Sequence, residues 1–244
     1  MSNQQDDQQT QDQSKFYNLF GSGHAYVRRI REVAVKRADP FVACDLYALD
    51  NGQTRRFDVK VVGSEAEKQI LQLKVDVEKG VRVAIEYRIG DIYAETYEDQ
   101  NHAGQFKPSV KARLLKVLWV GEGDVKEPAE LTFNGLAYLN SVRTRQDSLV
   151  ASLSALHGAA DAVEYTPFDC VVERSLDETL RKFGAELDAK KRILLGFKSS
   201  GLSPRVFTYE KGNKQGQRGV SLGTTLREVR WAKVDGQEVI KAAA

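Results

Sequence analysis

The stretch RRFDVKVVGSEAEKQILQLKVDVEKGVRVAIEYR, residues 55–88, decides the fold. Phe57, Val59 and Val61 alternate with polar residues at its start, and Val83, Ile85 and Tyr87 alternate at its end, which is the period of a half-buried strand. Between them SEAEKQILQLKVDVEKG, residues 64–80, changes to a helical rhythm. Ser64 is placed as an N-cap with Glu67 three residues later, and Gly80 as a stop. A single helix lodged between two strands is the expectation.

The chain then repeats itself. AYVRRIR (25–31) matches AYLNSVR (137–143), LYALDNG (46–52) matches LSALHG (153–158), and RRFDVKVV (55–62) matches TPFDCVV (166–172). RVAIEYR (82–88) matches RILLGFK (192–198), TYE (96–98) recurs at 208–210, and LLKVLW (114–119) matches LREVRW (226–231). The offsets run 112, 107, 111, 110, 112 and 112, so length changes fall between elements and the register recovers. Two tandem domains follow, 15–125 and 131–240, joined by a linker at 126–130 within GEGDVKEPAE.

Each copy reads as three strands, a helix and two strands. In the first strand Val27 and Ile30 lie an odd number of residues apart, as do Leu139 and Val142, so that strand bends or bulges. Val42, Cys44, Leu46 and Ala48 share the core face of the second strand, matched by Leu149, Ala151, Leu153 and Ala155. In the third, Phe168, Cys170 and Val172 match Phe57, Val59 and Val61. Five strands with a helix between the third and fourth predict a mainly β protein of two tandem OB-fold five-stranded barrels. The competing β-sandwich would have more strands and no mid-domain helix.

Composition sets the outer bounds. The 244 residues are 41% hydrophobic and 29% charged, as in soluble globular chains. No apolar run reaches the length of a membrane span, and the start MSNQQDDQQTQDQS has neither the basic nor the apolar region of a signal peptide, so the default expectation is a cytoplasmic protein without a membrane partner. Residues 1–14 carry −3 and are expected to be a disordered polar tail; 15–130 carry +1 and 131–244 carry +4. Cys44 and Cys170 lack metal-type spacing with each other or with His24, His102 and His157, which excludes a zinc site and reads both as packed thiols. No cofactor is expected. There is no phosphate loop, nucleophile elbow or dinucleotide fingerprint, and Asp58 and Asp169 each stand without a second acid or a histidine beside them, so the chain is read as non-enzymatic.

FGSGHAYVRRIREV (20–33), FVACDLYAL (41–49) and RRFDVKVVGSEAE (55–67) resemble the opening of a family of replication-associated proteins carried on bacterial integrative and conjugative elements. FTYEKGNKQGQRGVSLGTTLREVRWAKVDG (207–236) resembles that family's closing hairpin. The order of elements is similar to bacterial single-stranded DNA-binding proteins. The resemblance implies DNA processing for a mobile element. The chain departs from single-stranded DNA-binding proteins at its end, GQEVIKAAA, where it has no acidic tip closed by an aromatic residue.

OB-folds hold single strands with a cationic groove, aromatic faces and the loops after strands 1 and 4. In copy one the groove face carries Tyr47, Arg56 and Lys60 beside Asp45 and Asp58, with Lys36 and Arg37 in the first loop. The same positions in copy two, Ser152, Ser154, Pro167, Asp169 and Val171, hold no cation. The hairpin tips reverse the balance: TYEDQNHAGQFKPS (96–109) offers Tyr97, Phe106 and Lys107, whereas TYEKGNKQGQRG (208–219) offers Tyr209, Lys211, Lys214 and Arg218. Those twelve residues form the expected nucleic-acid site, against the alternatives of a surface tyrosine and a solvated lysine loop. Trp119 and Trp231, at matching positions, read as core, with a stacking platform as the alternative.

The expected function is sequence-tolerant binding of single-stranded DNA in replication or transfer of a mobile element. A homodimer presenting four barrels is expected by analogy with single-domain relatives of the fold. The alternative is a protein-interaction adaptor within a replication or conjugation complex.

Overall fold

The structure is a computed structural model and describes residues 16–241. The tail expected at 1–14 lies outside the described residues. The elements are β1 (Phe16–Tyr17), β2 (Phe20–Val35), β3 (Ala38–Asp50), β4 (Gln53–Val61), α1 (Ser64–Gln72), α2 (Lys74–Glu78), β5 (Val83–Glu98) and β6 (Phe106–Glu122). They continue with β7 (Thr132–Arg145), β8 (Ser148–Ala159), β9 (Glu164–Val172), a single 3-10 turn (Arg174–Leu176), α3 (Asp177–Asp188), β10 (Ile193–Thr208), β11 (Arg218–Val234) and β12 (Gln237–Ile240).

Strands β2-β3-β4-β6-β5 form one barrel, which closes by pairing β5 with β2. Strands β7-β8-β9-β11-β10 form the second, which closes by pairing β10 with β7. Every pairing is antiparallel except β4 with β6 and β9 with β11. Parallel neighbours need a long crossover, and in each barrel the helix and strand 4 supply it. This is the strand order of an OB-fold, present twice. The alternating residues Val42, Cys44, Leu46 and Ala48, and their counterparts in β8, all point into the cores. Burial pushes the thiols of Cys44 and Cys170 up to about 12, which makes both inert packing groups.

The phase shift in strand 1 is a bulge in both copies. The β2 register jumps between Arg28 and Arg31, with Arg29 at φ 50, and the β7 register jumps between Leu139 and Ser141. The helix differs from expectation at its start. Gly63 is the N-cap, at φ 92, and Ser64 makes no side-chain cap; the turn out of β4 needs a left-handed residue, which serine resists. The expected single helix is also broken at Leu73, whose N–H bonds Ile70 O at 3.1 Å. The tryptophans leave the core. One extra residue between Val117 and Trp119 shifts the register, as another does between Val229 and Trp231, and so turns both rings outward. Trp119 is 45% exposed and meets His24 edge-on at 5.8 Å, while Trp231 is half-buried against Gly196.

The barrels meet along β2 and β7, where Phe20 pairs with Asn134, Gly21 with Phe133 and Ser22 with Thr132. Ser22 Oγ and Thr132 Oγ1 lie 3.1 Å apart. Two further latches flank this pairing. Strand β5 bulges between Gly90 and Tyr93, and β10 bulges between Ser200 and Ser203. Each bulge contains one left-handed residue, Asp91 at φ 48 and Gly201 at φ 71, and each buries the next side chain, Ile92 or Leu202, at the seam. Ile92 O accepts the hydroxyl of Thr166 at 2.7 Å, and Leu202 N–H donates to Asp50 Oδ2 at 3.0 Å. The apolar cores of the two barrels run together. Phe16 and Tyr17, ahead of barrel one, pair with Ala159 and Gly158 of barrel two.

Thr166 bonds Ile92 O across the seam and lies 3.1 Å from His157 Nε2. Thr166→Val leaves a buried carbonyl without its donor and is expected to cost about 1–3 kcal/mol in urea unfolding, with Thr166→Ser retaining most of that. Equal stability of the two variants would contradict the latch.

Candidate nucleic-acid interface

On barrel one the outward face of β3 and β4 is wired internally. Asp45 points to the groove side yet is 0% exposed, because Arg56 Nε (3.0 Å), Arg31 (3.2 Å) and Arg29 (3.4 Å) converge on its carboxylate. Arg31 also reaches Asp58 at 2.5 Å. Burial works against the charge of Arg56, but the hydrogen bond and charge of Asp45 outweigh it and raise its pKa. Further along the face Lys111 holds Glu95 at 2.5 Å and Arg113 holds Asp91 at 3.1 Å. Lys60 lies 4.5 Å from the ring centroid of Phe41, and Tyr47 is half-buried. Lys36 and Arg37, in the β2–β3 turn, are exposed and make no ion pair among the described residues.

The two strand 4–5 hairpins touch. The guanidinium of Arg218, at the base of barrel two's tip, lies 3.8 Å from the ring centroid of Phe106, at the base of barrel one's tip. Two expected site residues from different copies therefore satisfy each other. Lys107 is held by Asp99 at 2.5 Å, and Asp99 also accepts Asn101 N–H. Tyr97 remains 47% exposed. Tyr209 packs edge-on against Phe207 at 4.8 Å with Lys214 5.7 Å above it, and Lys211 is exposed.

Sequence reasoning missed a cleft of about 500 Å³ at the seam. Arg143 and Arg145 reach it from the end of β7, Arg205 from β10, and Arg55 from β4 of the other barrel. Arg143 lies 3.9 Å from Asp169 and Arg55 lies 3.5 Å from Asp50. Arg145 and Arg205 have no ion-pair partner among the described residues. Asp50 is 7% exposed, and its Oδ1 has no hydrogen-bond partner among the described residues. Copy two's own sheet positions lack cations, as read from the sequence, but strand ends and the neighbouring barrel supply them. The repeat could have pointed to Arg143, which matches Arg31; Arg55 and Arg205 join the cleft only through the tertiary arrangement.

The family described as "Protein of unknown function (DUF3577)" matches residues 10–126 and again 123–244. The chain belongs to this family. Each DUF3577 match takes in one of the two barrels. The chain is similar to the wild-type single-stranded DNA-binding protein from Thermus aquaticus, with 14% identity over 88% of this chain and 93% of that one at a TM-score of 0.42. A deletion variant of the same protein gives 14% identity, 88% and 95% coverage, and a TM-score of 0.44. No curated protein matches. Among the described residues no group of three or more His, Cys, Asp and Glu side chains is placed to hold a metal ion, and no helix is long and apolar enough to cross a membrane.

The hydrogen bond from Lys107 is the main cause holding the Asp99 carboxyl below the usual carboxylate range. A depressed carboxyl contributes above its unfolded pKa and loses that contribution as pH falls through the folded one. The contact is therefore intact at neutral pH. In an NMR titration the Asp99 midpoint is expected to lie low and to rise in Lys107→Ala; an unchanged midpoint would contradict the contact.

Proposed function

We propose that this chain is a non-catalytic, sequence-tolerant binder of single-stranded DNA. The observation that carries the reading is the seam cleft, where four arginines from both barrels face two acids and two of those arginines have no ion-pair partner among the described residues. Arg205 lies on β10, the strand that leads directly into the barrel-two tip. A strand seated in the cleft runs onto Tyr209, Lys211 and Lys214, and from there to Tyr97 of the adjoining tip. Phosphates meet cations and bases meet aromatic faces, neither of which reads base edges. Phe106 and Arg218 brace the two tips. Lys36, Arg37, Tyr47 and Lys60 offer a second, weaker patch on barrel one, in which Arg56 is already committed to Asp45.

The resemblance carried by FGSGHAYVRRIREV and the closing hairpin supports action in replication or transfer of a mobile element. A second reading, a protein-interaction adaptor, is favoured by one observation: barrel one's sheet face is charge-matched by its own acids.

Fluorescence anisotropy with a single strand of about thirty nucleotides, about the length that spans several OB site sizes, separates the two. Tight binding at low salt that weakens steeply with salt is expected. Arg145→Ala and Arg205→Ala should each lower the salt slope by about 0.7, the contribution of one single-strand phosphate contact. Changing Lys211 and Lys214 to Glu, with Arg218 left in place to keep the tips joined, should also weaken binding. No binding at micromolar protein would overturn the proposal and leave the adaptor.

A further inference from the structure

Both barrels carry an arginine stacked on a tyrosine at equivalent positions. The guanidinium of Arg82 lies 4.6 Å from the Tyr26 ring centroid, and that of Arg192 lies 4.3 Å from the Tyr138 ring centroid. The two pairs also share a backbone contact: Gly123 N–H donates to Arg82 O and Asp235 N–H donates to Arg192 O, both at 2.8 Å. After that contact the chain paths diverge.

In barrel one the chain continues across the stack. The Asp124 carboxylate takes the Arg82 guanidinium and, through the same oxygen, the Tyr26 hydroxyl at 3.2 Å. Val125 N–H lies 3.5 Å from that hydroxyl, and Ala129 N–H donates to His24 Nδ1 at 2.7 Å. The linker is thus an acidic peptide docked on a Tyr–Arg site. In barrel two the residue equivalent to Asp124 is Gly236, at φ 82, and it turns the chain back into β12. Asp235 spends its carboxylate on Arg192 N–H at 2.9 Å. The guanidinium of Arg192 has no ion pair or hydrogen bond among the described residues.

The open copy has a second aromatic ring beside it. Tyr165, 52% exposed, stands 6.5 Å from Tyr138 at a 38° tilt. Lys190, Asn140 and Ser154 complete a concavity of about 490 Å³. Arg143 lies five residues further along β7 than Tyr138, roughly 17 Å away at strand rise, so this site is separate from the seam cleft.

We propose that the Tyr138–Arg192 site docks an extended acidic segment of a partner protein, with one carboxylate received by Arg192 and the Tyr138 hydroxyl. The barrel-one linker shows that this donor set, on this fold, takes a peptide carboxylate. Tyr165 and Lys190 enlarge the site for a ligand that arrives from another chain. The proposal does not depend on DNA binding at the cleft.

The probe is a synthetic peptide of the linker sequence GEGDVKEPAE, titrated into the full chain and followed by amide NMR. Shifts are expected around Tyr138, Ser154, Tyr165 and Lys190–Arg192. Replacing the peptide's aspartate by asparagine, or Arg192→Gln in the protein, should weaken binding at least about tenfold, the loss of one charge-assisted hydrogen bond. Arg192→Gln retains both main-chain bonds to Asp235, so its fold is checked by unchanged shifts elsewhere. No shift at millimolar peptide, or shifts indifferent to the aspartate, would overturn the proposal. So would a single-stranded oligonucleotide that perturbs these residues when the peptide does not, since that would make nucleic acid the occupant. Loss of DNA binding in cleft variants with peptide shifts intact separates this site from the cleft.

Discussion

The pairing of Phe20–Ser22 with Thr132–Asn134 sets the geometry of everything else. The repeat offset of 112 carries Phe20 onto Thr132, Gly21 onto Phe133 and Ser22 onto Asn134, so exchanging the two strands reproduces the same three pairs. One chain thereby builds the self-complementary contact that a symmetric dimer makes between two chains. Because the contact uses backbone hydrogen bonds and a merged apolar core, the orientation of the barrels follows from register. That orientation brings Arg55 opposite Arg143 and Arg145, and Arg218 onto Phe106.

The backbone is symmetric but the chemistry is not. The two bulge latches occupy equivalent places, yet one uses the Asp50 carboxylate and the other the Thr166 hydroxyl beside His157. Burial lowers the pKa of His157, whose side of the seam carries the Arg113–Asp91 pair, while the Asp50 side carries Arg55. Barrel one spends Arg29, Arg31 and Arg56 on Asp45 and Asp58, and barrel two leaves Arg145 and Arg205 open to solvent. The two barrels thus share one strand order and differ in the side chains it carries.

The sequence revealed what is periodic. The alternation at Val42–Ala48, the strand-1 bulge and the strand–helix–strand order were all readable, because each follows from local spacing. It did not reveal what depends on register across the sheet. Asp45 read as a groove residue, but three arginines separated from it in sequence bury it. Trp119 shared an apolar neighbourhood with Val117, but one inserted residue turned it outward. Arg55 and Arg205 carried no local signal, since only the seam makes them neighbours. Ser64 looked like a cap because the motif fitted, whereas the turn itself required Gly63.

Amide hydrogen exchange on the full chain tests the junction and its role together. Gly201 N–H bonds Leu131 O and Leu202 N–H bonds Asp50, both beneath the arginine cleft. These two amides are expected to exchange as slowly as the barrel strands, and more slowly still when single-stranded DNA fills the cleft. Exchange as fast as in the exposed Asn51–Gly52 turn, or rates indifferent to DNA, would contradict this.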